Sequence, residues 1–353
     1  MSNLTKTFSK PKLDVKKIGN ALLNNALLII MLLAAIYIAI TEPSFISPSS
    51  IINLISQTAA YLPVALGIGG CIVLTGTDLS AGRTVGITAC VSASLLQAVS
   101  VANKMWLGLQ PLPVFVVIII AVGLGALIGA FNGFWVAKFK LHPFIVTLAT
   151  QLILFTCLLL YVQLGNNKGS AISGLDESYT NFVKGSIVSV PVGNGAVVPI
   201  PNYVWYAILL TILMWFIWNK TAFGKNMFAL GANEEAARVS GVNVFVTTIL
   251  VFALAGAMYG FAGFVEGARV ASNTANTGFN YELDAIAACV IGGVSFVGGI
   301  GKIRGVVIGV LLLRLIFVGL PMIGMDQNLQ YAIKGGIILF ACALDMRKYL
   351  VKK

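Results

Sequence analysis

Two polar, glycine-rich stretches interrupt an otherwise apolar chain, and both carry side chains that could do chemistry. The first, TGTDLSAGR at 75–83, places a carboxylate, a hydroxyl and a guanidinium close together at Asp78, Ser80 and Arg83, with Gly82 beside the arginine. A carboxylate beside an arginine is costly in apolar surroundings unless the two are paired. The stretch therefore predicts either a tight turn stapled by Asp78 and Arg83 or a gate in the pathway of a polar solute.

The second stretch, GGVSFVGGIGK at 292–302, is richer in glycine and contributes a single hydroxyl. Irregular backbone within a membrane occurs only where it is buried in protein or lines water. We therefore count this stretch, like the first, among the candidates for a gate or a pathway wall. Its candidate residues are Gly292, Gly293, Ser295, Gly298 and Gly299.

Charged residues inside the apolar runs are few. Glu266 closes one run, and Glu282 and Asp284 open the next, so we expect these three carboxylates at a membrane interface, where they need no special role. Arg314 and Lys334 lie within runs, and each is expected to face protein or water, or to snorkel toward an interface. No series of titratable groups typical of a proton relay accompanies them.

Three uncharged polar residues have both a structural and a functional interpretation. Asn132 and Gln151 could hydrogen-bond a polar solute, or they could bond across helices. His142 precedes Pro143 at a predicted helix start, where it is expected to be a junction residue rather than a proton switch.

The sequence contains no motif for covalent catalysis. It shows no phosphate loop, catalytic triad or metal motif, so neither a catalytic residue nor a metal site nor a bound cofactor is predicted. The five cysteines lie in or beside apolar runs without paired metal-ligand spacing, which favours packing over a disulfide framework or a zinc site. They are Cys71, Cys90, Cys157, Cys289 and Cys342.

Composition places the chain in a membrane. Of its 353 residues, 58% are hydrophobic and 10% are charged, whereas a soluble domain carries roughly 25% charged residues. The net charge of +11 could suggest nucleic-acid binding. The charges punctuate apolar runs instead of forming one patch, which is typical of membrane topology.

The apolar runs predict an all-α integral membrane protein of about ten transmembrane helices. Most of the 23 Lys and Arg residues fall on one side if both termini are cytoplasmic. The predicted division is a basic segment at 1–20, a transmembrane domain at 21–345 and a basic tail at 346–353, with a loop on the outside at 165–199. The spans are roughly 21–40, 51–74, 84–101, 112–137, 143–164, 200–218, 244–266, 283–299, 305–324 and 329–345.

The longest cytoplasmic loop, 219–243, contains the signals of a very short helix. Asn233 is a good N-cap, Glu234 and Glu235 fall in the first turn, and Arg238 falls in the last. Gly241 can take the left-handed position after the helix. About two turns are not stable alone in water, so this helix must pack on its own chain or on a partner.

Small residues recur at four-residue spacing within the spans. Gly125, Gly129 and Gly133 form one series, and the pairs Gly256 with Gly260 and Gly305 with Gly309 form two more. Such spacing lets helices approach closely in lipid. It predicts helix packing and says little about a substrate.

Several stretches together resemble one family, the permease subunits of bacterial ATP-binding-cassette sugar importers for ribose, xylose and galactose. The sequences TGTDLSAGR and YELDAIAACVIGGVSF resemble the corresponding motifs of the galactose/methyl-galactoside subgroup. The resemblance runs from about 41 to 345. Its motifs are TGTDLSAGR (75–83), GALIGAFNG (125–133), PFIVTLAT (143–150), FGKNMFALGANEEAARVSGVNV (223–244), YELDAIAACVIGGVSFVGGIGKIRG (281–305) and KGGIILFACALD (334–345).

The resemblance implies partners and a coupling site. It implies a homodimer in the bacterial inner membrane, a periplasmic sugar-binding protein outside and an ATPase subunit inside, which would hold ATP and magnesium. It also implies that the short helix contacts the ATPase. The coupling residues are then Gly231, Asn233, Glu234, Glu235, Ala236, Ala237, Arg238 and Gly241.

The function expected is energy-coupled import of an aldohexose such as galactose, methyl galactoside or glucose. A pentose such as ribose or xylose is the alternative within the family. A rival of another class is an ion-coupled secondary transporter, which predicts titratable groups at mid-membrane and uptake by this chain alone. Phe317 and Leu329 depart from the family pattern, and Arg314 is unexpected in its helix.

Overall fold

A computed structural model describes residues 26–192 and 197–350. The predicted basic segment 1–20 and the last three residues of the predicted tail lie outside the described residues. The remainder of that tail is not a separate segment, because the last helix continues to Leu350.

The described chain is largely helical. A 3₁₀ helix, Pro43–Ile46, follows the first helix. In chain order the α-helices and strands are α1 (Ala26–Thr41), α2 (Pro48–Val73), α3 (Ala81–Leu95), α4 (Val114–Phe139), α5 (Pro143–Gln163), α6 (Glu177–Lys184), β1 (Ser186–Pro191), β2 (Val197–Pro201), α7 (Asn202–Lys220), α8 (Ala222–Ala232), α9 (Glu234–Val239), α10 (Val244–Val270), α11 (Tyr281–Ile291), α12 (Ile303–Met322) and α13 (Gln327–Leu350).

Within the described residues, seven helices are long and apolar enough to cross a membrane: α2, α4, α5, α7, α10, α12 and most of α13. Two of the ten predicted spans are much shorter than expected. The span predicted at 84–101 overlaps α3, of 15 residues, and the one predicted at 283–299 overlaps α11, of 11 residues. At 1.5 Å per residue α11 is only about 17 Å long, roughly half of a hydrocarbon core.

The starts of these two short helices meet inside the molecule. A Cβ at Gly82, on the first turn of α3, would clash with the carbonyl oxygen of Gly278 and the carboxylate of Glu282. The chain between α10 and α11 is not helical where it makes this approach. Such backbone is tolerated at membrane depth because protein surrounds it.

The predicted small-residue packing is confirmed. A Cβ at Gly125 would clash with the carbonyl oxygen of Gly256, and one at Gly129 with that of Phe252, so the backbones of α4 and α10 touch. The backbones of α11 and α12 are also in contact, since a Cβ at Gly309 would clash with the carbonyl oxygen of Ala288. Close approach of this kind replaces the hydrophobic driving force that lipid removes.

The predicted loop at 165–199 is partly ordered into secondary structure, which corrects the all-α prediction. Strands β1 and β2 form an antiparallel pair, and α6 precedes them with Asp176 as its N-cap. The strand sequences SIVSVP and VVPIP are rich in β-branched residues, which favour strands. We call this end of the bundle the hairpin end, and the opposite end, which carries α8 and α9, the α9 end.

Candidate functional site

The short helix α9 forms with the predicted caps. The Asn233 side chain accepts a hydrogen bond of 2.9 Å from the backbone N–H of Ala236, and Gly241 has a φ of +85°. Arg238 pairs with Glu234 at 2.6 Å and with Glu235 at 3.3 Å. The capping predictions are therefore confirmed.

Most of α9 faces outward. Ala237 is buried, whereas both glutamates, Arg238 and Ala236 are exposed. The large apolar side chain of Val239 is 89% exposed. An isolated six-residue helix with an apolar tip is a surface suited to docking rather than a core element.

The last turn of α8 joins α9 to the interior of the bundle. A Cβ at Gly231 would clash with the carbonyl oxygen of Val73, at the end of α2. The same carbonyl accepts a 2.9 Å hydrogen bond from the backbone N–H of Gly299. A Cβ at Gly298 would in turn clash with Gly231. The structure thus brings the predicted coupling loop and the second glycine-rich stretch together, with no side chains between their backbones.

The second stretch is a turn that is also tied to the last helix. Gly293, Gly298 and Gly299 have φ values of +81°, +89° and +66°, which favour glycine. The Ser295 hydroxyl donates to Asp345 of α13 at 3.0 Å. Gly292 packs against the backbone of Gly305 at the start of α12. Movement of this turn would therefore act directly on α12 and α13.

The first stretch holds Asp78 in a buried network. Its carboxylate accepts from the Ser80 backbone at 2.9 Å and from the Ser80 hydroxyl at 2.6 Å. Asn132 of α4 donates to that hydroxyl at 2.9 Å and accepts from Thr150 of α5 at 2.6 Å. Asn132 is fully buried, so the structure favours the helix-bridging interpretation of this residue.

The predicted staple between Asp78 and Arg83 is wrong. Arg83 donates instead to the carbonyl of Ala275 at 3.0 Å, and its guanidinium lies 4.3 Å from the ring centre of Phe155. The helical turn that starts α3 carries the two side chains into different surroundings. Arg83 belongs to the junction where α3 and α11 meet, whereas Asp78 belongs to the interface with α4 and α5.

The interfacial assignment of the carboxylates is also wrong. Glu266, Glu282 and Asp284 are all buried. Glu266 pairs with Arg269 at 2.7 Å, and Gln151 donates to Glu282 at 3.4 Å. Glu282 and Asp284 are buried because α11, whose first turn they occupy, begins inside the bundle. The apolar pattern of the sequence does not reveal this depth.

Asp284 is the centre of a charged cluster that sequence reasoning missed. It pairs with Arg314 at 2.5 Å and with Lys334 at 2.6 Å, through different carboxylate oxygens. The available signal was the presence of two cations within apolar runs, each of which requires a partner. The cluster borders a cavity of about 430 Å³ toward the hairpin end.

His142 is a junction residue, as predicted. Its Nδ1 accepts a 3.3 Å hydrogen bond from the backbone N–H of Phe144 and so caps α5. Groups of three or more metal-ligating side chains are absent from the part of the chain that the structure describes.

The chain is similar to known transport proteins over most of its length. A family model described as "Branched-chain amino acid transport system / permease component" matches residues 50–342. The galactose/methyl galactoside import permease of Salmonella typhimurium is 44% identical over 326 residues, which cover 92% of this chain and 94% of the relative. The protein of the same name from Escherichia coli K12 is 42% identical over 342 residues, or 97% and 99% of the two chains.

A more distant relative has a different substrate in its name. The ribose import permease of Escherichia coli K12 is 33% identical over 321 residues, which cover 91% of this chain and 93% of the relative. No solved structure matches the chain.

Proposed function

Because the chain belongs to the family of transport-system permease components, we propose that it is the membrane subunit of an ATP-driven, binding-protein-dependent importer of an aldohexose. The substrate assignment rests on the 44% and 42% identity to permeases named for galactose and methyl galactoside. The permease named for ribose is less similar, at 33%. Galactose, methyl galactoside and glucose are the substrates to test first.

The coupling step rests on the geometry at the α9 end. An ATPase subunit would dock on the exposed face of α9, and its motion would pass through the backbone contact between Gly231 and Gly299. Backbone packed on backbone has little room to yield, so displacement of α9 moves the second glycine-rich turn. That turn is bonded to α13 through Ser295 and Asp345.

The remaining assignments complete the transport cycle. Two copies of the chain would enclose the sugar pathway in the bacterial inner membrane, and a sugar-loaded binding protein would dock at the hairpin end. ATP and magnesium would be held by the ATPase partner. The permease forms no covalent bond to the sugar and moves it by alternating access.

The proposed function is tested by labelled galactose uptake in cells with and without this chain. We expect uptake that needs the chain, falls with vanadate, an inhibitor of cassette ATPases, and is competed by unlabelled glucose but not by ribose or xylose. Vanadate-sensitive uptake of a pentose would keep the ATP-driven mechanism and overturn the sugar. Uptake abolished by a protonophore at constant ATP would instead establish ion-coupled transport.

A further inference from the structure

A cleft borders α9 without including its exposed tip. It has a volume of about 800 Å³ and lies between the end of α4, the starts of α5 and α10, the last turn of α8, and α9. This volume falls within the roughly 300–1,000 Å³ of typical small-molecule sites. Val239 is not among the residues that line it. The cleft is therefore a different surface from the tip of α9 that the proposed function assigns to the ATPase.

Two lysines at the end of α4 are free to bind an anion. Lys138 lies in the last turn of the helix, and Lys140 follows the helix with a φ of +53° and lines the cleft. Both are exposed, and neither forms an ion pair with any residue that the structure describes. The other cation of the cleft wall, Arg238, is paired with Glu234. The positive charge that remains without a partner is thus that of the two lysines.

Exposed aromatic rings adjoin these lysines. Four positions of α4 at i, i+3, i+4 and i+7 share one face of the helix: Phe131, Phe134, Trp135 and Lys138. The three rings are exposed, and Phe134 meets Phe245 of α10 at 6.3 Å between ring centres. Phe245 also lines the cleft. We call Phe131, Phe134, Trp135 and Phe245 the aromatic patch, which is continuous with the cleft.

The ligand that matches this surface has an apolar part and a net negative charge. Aromatic side chains at a membrane interface lie at the level of the lipid headgroups, and lysines there attract anionic lipids. An inorganic anion would neutralise the lysines and leave the aromatic patch uncovered. A zwitterionic lipid would cover the patch but would bring a cation of its own toward Lys138 and Lys140. An anionic phospholipid satisfies both parts of the surface.

We propose that the cleft and the aromatic patch form a binding site for an anionic phospholipid. The phosphate lies on Lys138 and Lys140, the headgroup enters the cleft, and the acyl chains lie on the aromatic patch. The inference does not depend on which sugar the chain transports. Gly231, through which α9 is attached to the bundle, also lines the cleft. The lipid headgroup is therefore placed against the attachment of α9.

The test is quenching of tryptophan fluorescence by brominated lipid in bilayers that contain the purified full-length chain. Changing Trp205 and Trp215 to phenylalanine leaves Trp135 as the reporter of the aromatic patch, and Trp106 and Trp218 remain as a constant background. The bilayers mix phosphatidylglycerol with phosphatidylcholine, and either one or the other carries bromine near the headgroup end of its acyl chains. The ratio of the two quenching strengths gives the preference for anionic lipid at the reporter.

Trp215 is the matched control reporter, with Trp135 and Trp205 changed to phenylalanine. It lies near the α9 end of α7 with the ammonium of Lys220 5.7 Å from its ring centre, and neither residue lines the cleft. We expect the preference for phosphatidylglycerol to be about fivefold higher at Trp135, because one lysine more contributes about that factor near a membrane surface. Equal preferences at the two reporters would mean that anionic lipid is attracted by the whole surface, and would overturn the proposal.

Two charge variants of the Trp135 reporter tie the preference to the cleft. Lys140→Gln should lower it about fivefold, whereas Lys220→Gln should leave it unchanged, because Lys220 lies outside the cleft. An unchanged preference in Lys140→Gln would refute the site. Excess inorganic phosphate at constant ionic strength should not alter the quenching. If phosphate abolished the preference, the lysines would bind a soluble anion and the lipid proposal would be wrong.

Discussion

Arg314 and Lys334 share the carboxylate of Asp284 inside an apolar bundle. This shared pairing determines how a substitution at Asp284 would affect stability. Arg314 and Lys334 are 9% and 15% exposed in their side chains, and Asp284 is 5% exposed. Water screens little of their mutual repulsion at such burial. Asp284 is therefore the residue whose loss leaves the largest uncompensated charge.

Replacing Asp284 with leucine should strongly destabilise the protein, because both cations then lose their partner. We expect the free energy of unfolding in detergent to fall by about 3–5 kcal/mol, the cost of breaking a buried pair. Thermal unfolding of the purified protein measures this. In contrast, Arg238→Leu removes exposed pairs on α9 and should cost under about 1 kcal/mol. Similar losses of unfolding free energy in the two variants would show that the buried cluster stabilises the protein no more than the exposed pairs on α9 do.

The glycines of α4 provide a second test at single-residue scale. A Cβ at Gly129 would meet the carbonyl oxygen of Phe252, whereas one at Gly123, on the same helix, would meet no atom within 4 Å. Gly129→Ala should therefore cost about 1–3 kcal/mol of stability. Gly123→Ala should be neutral, or stabilising by up to about 1 kcal/mol, because alanine is the better helix former. Unfolding midpoints that shift in the same direction would refute backbone contact between α4 and α10.

At the scale of elements, α9 acts as a separate unit that is held at one end and exposed at the other. Its caps and its ion pairs are local, whereas its attachment to the bundle runs through α8 and Gly231. A change on the exposed face should therefore affect docking without affecting the fold. The apolar tip at Val239 is the sharpest place to make such a change.

Under the proposed function, Val239→Asp should abolish both galactose uptake and stimulation of the proposed ATPase partner by loaded binding protein. The reason is that a charge at an 89% exposed docking tip must be desolvated on contact. Stability should stay within about 0.5 kcal/mol of the unchanged protein, as expected of a surface substitution. Val197→Asp is the control, since Val197 is 61% exposed in β2 at the opposite end. Normal coupling in Val239→Asp would exclude the tip from the docking surface.

For the whole molecule, the two short helices determine how many times the chain crosses the membrane. The topology that we propose counts each of them as one pass; with α1 and the seven long helices this gives ten passes, an even number that would leave both termini on one side. The excess of Lys and Arg favours the cytoplasm for that side. The hairpin end would then be periplasmic.

This topology is tested with two reporters. Green fluorescent protein fused after Lys353 should fluoresce, because it folds in the cytoplasm, and alkaline phosphatase inserted between residues 192 and 197 should be active, because it folds in the periplasm. The reciprocal fusions are the controls and should be inactive. An active phosphatase at the C terminus would mean that one of the short helices does not complete a pass.

The sequence by itself determined the features that depend on local pattern. Long apolar runs, four-residue glycine spacing and the caps at Asn233 and Gly241 are short-range signals, and the helices, the close approach of the glycine-bearing helices and α9 follow from them. The pairing of α4 with α10 does not. Residues 75–83 and 292–302 were recognisable as irregular because glycine and polar residues break the apolar runs.

Only the tertiary structure decided which residues meet. Asp284 and Arg314 are 30 positions apart, and Arg83 and Ala275 are 192 apart, so no periodicity relates them. Glu282 and Asp284 look interfacial in the sequence but are buried, because they lie in the first turn of α11 and this helix begins inside the bundle. The cavity and the path from α9 to α13 depend on the same long-range packing, which local sequence cannot encode.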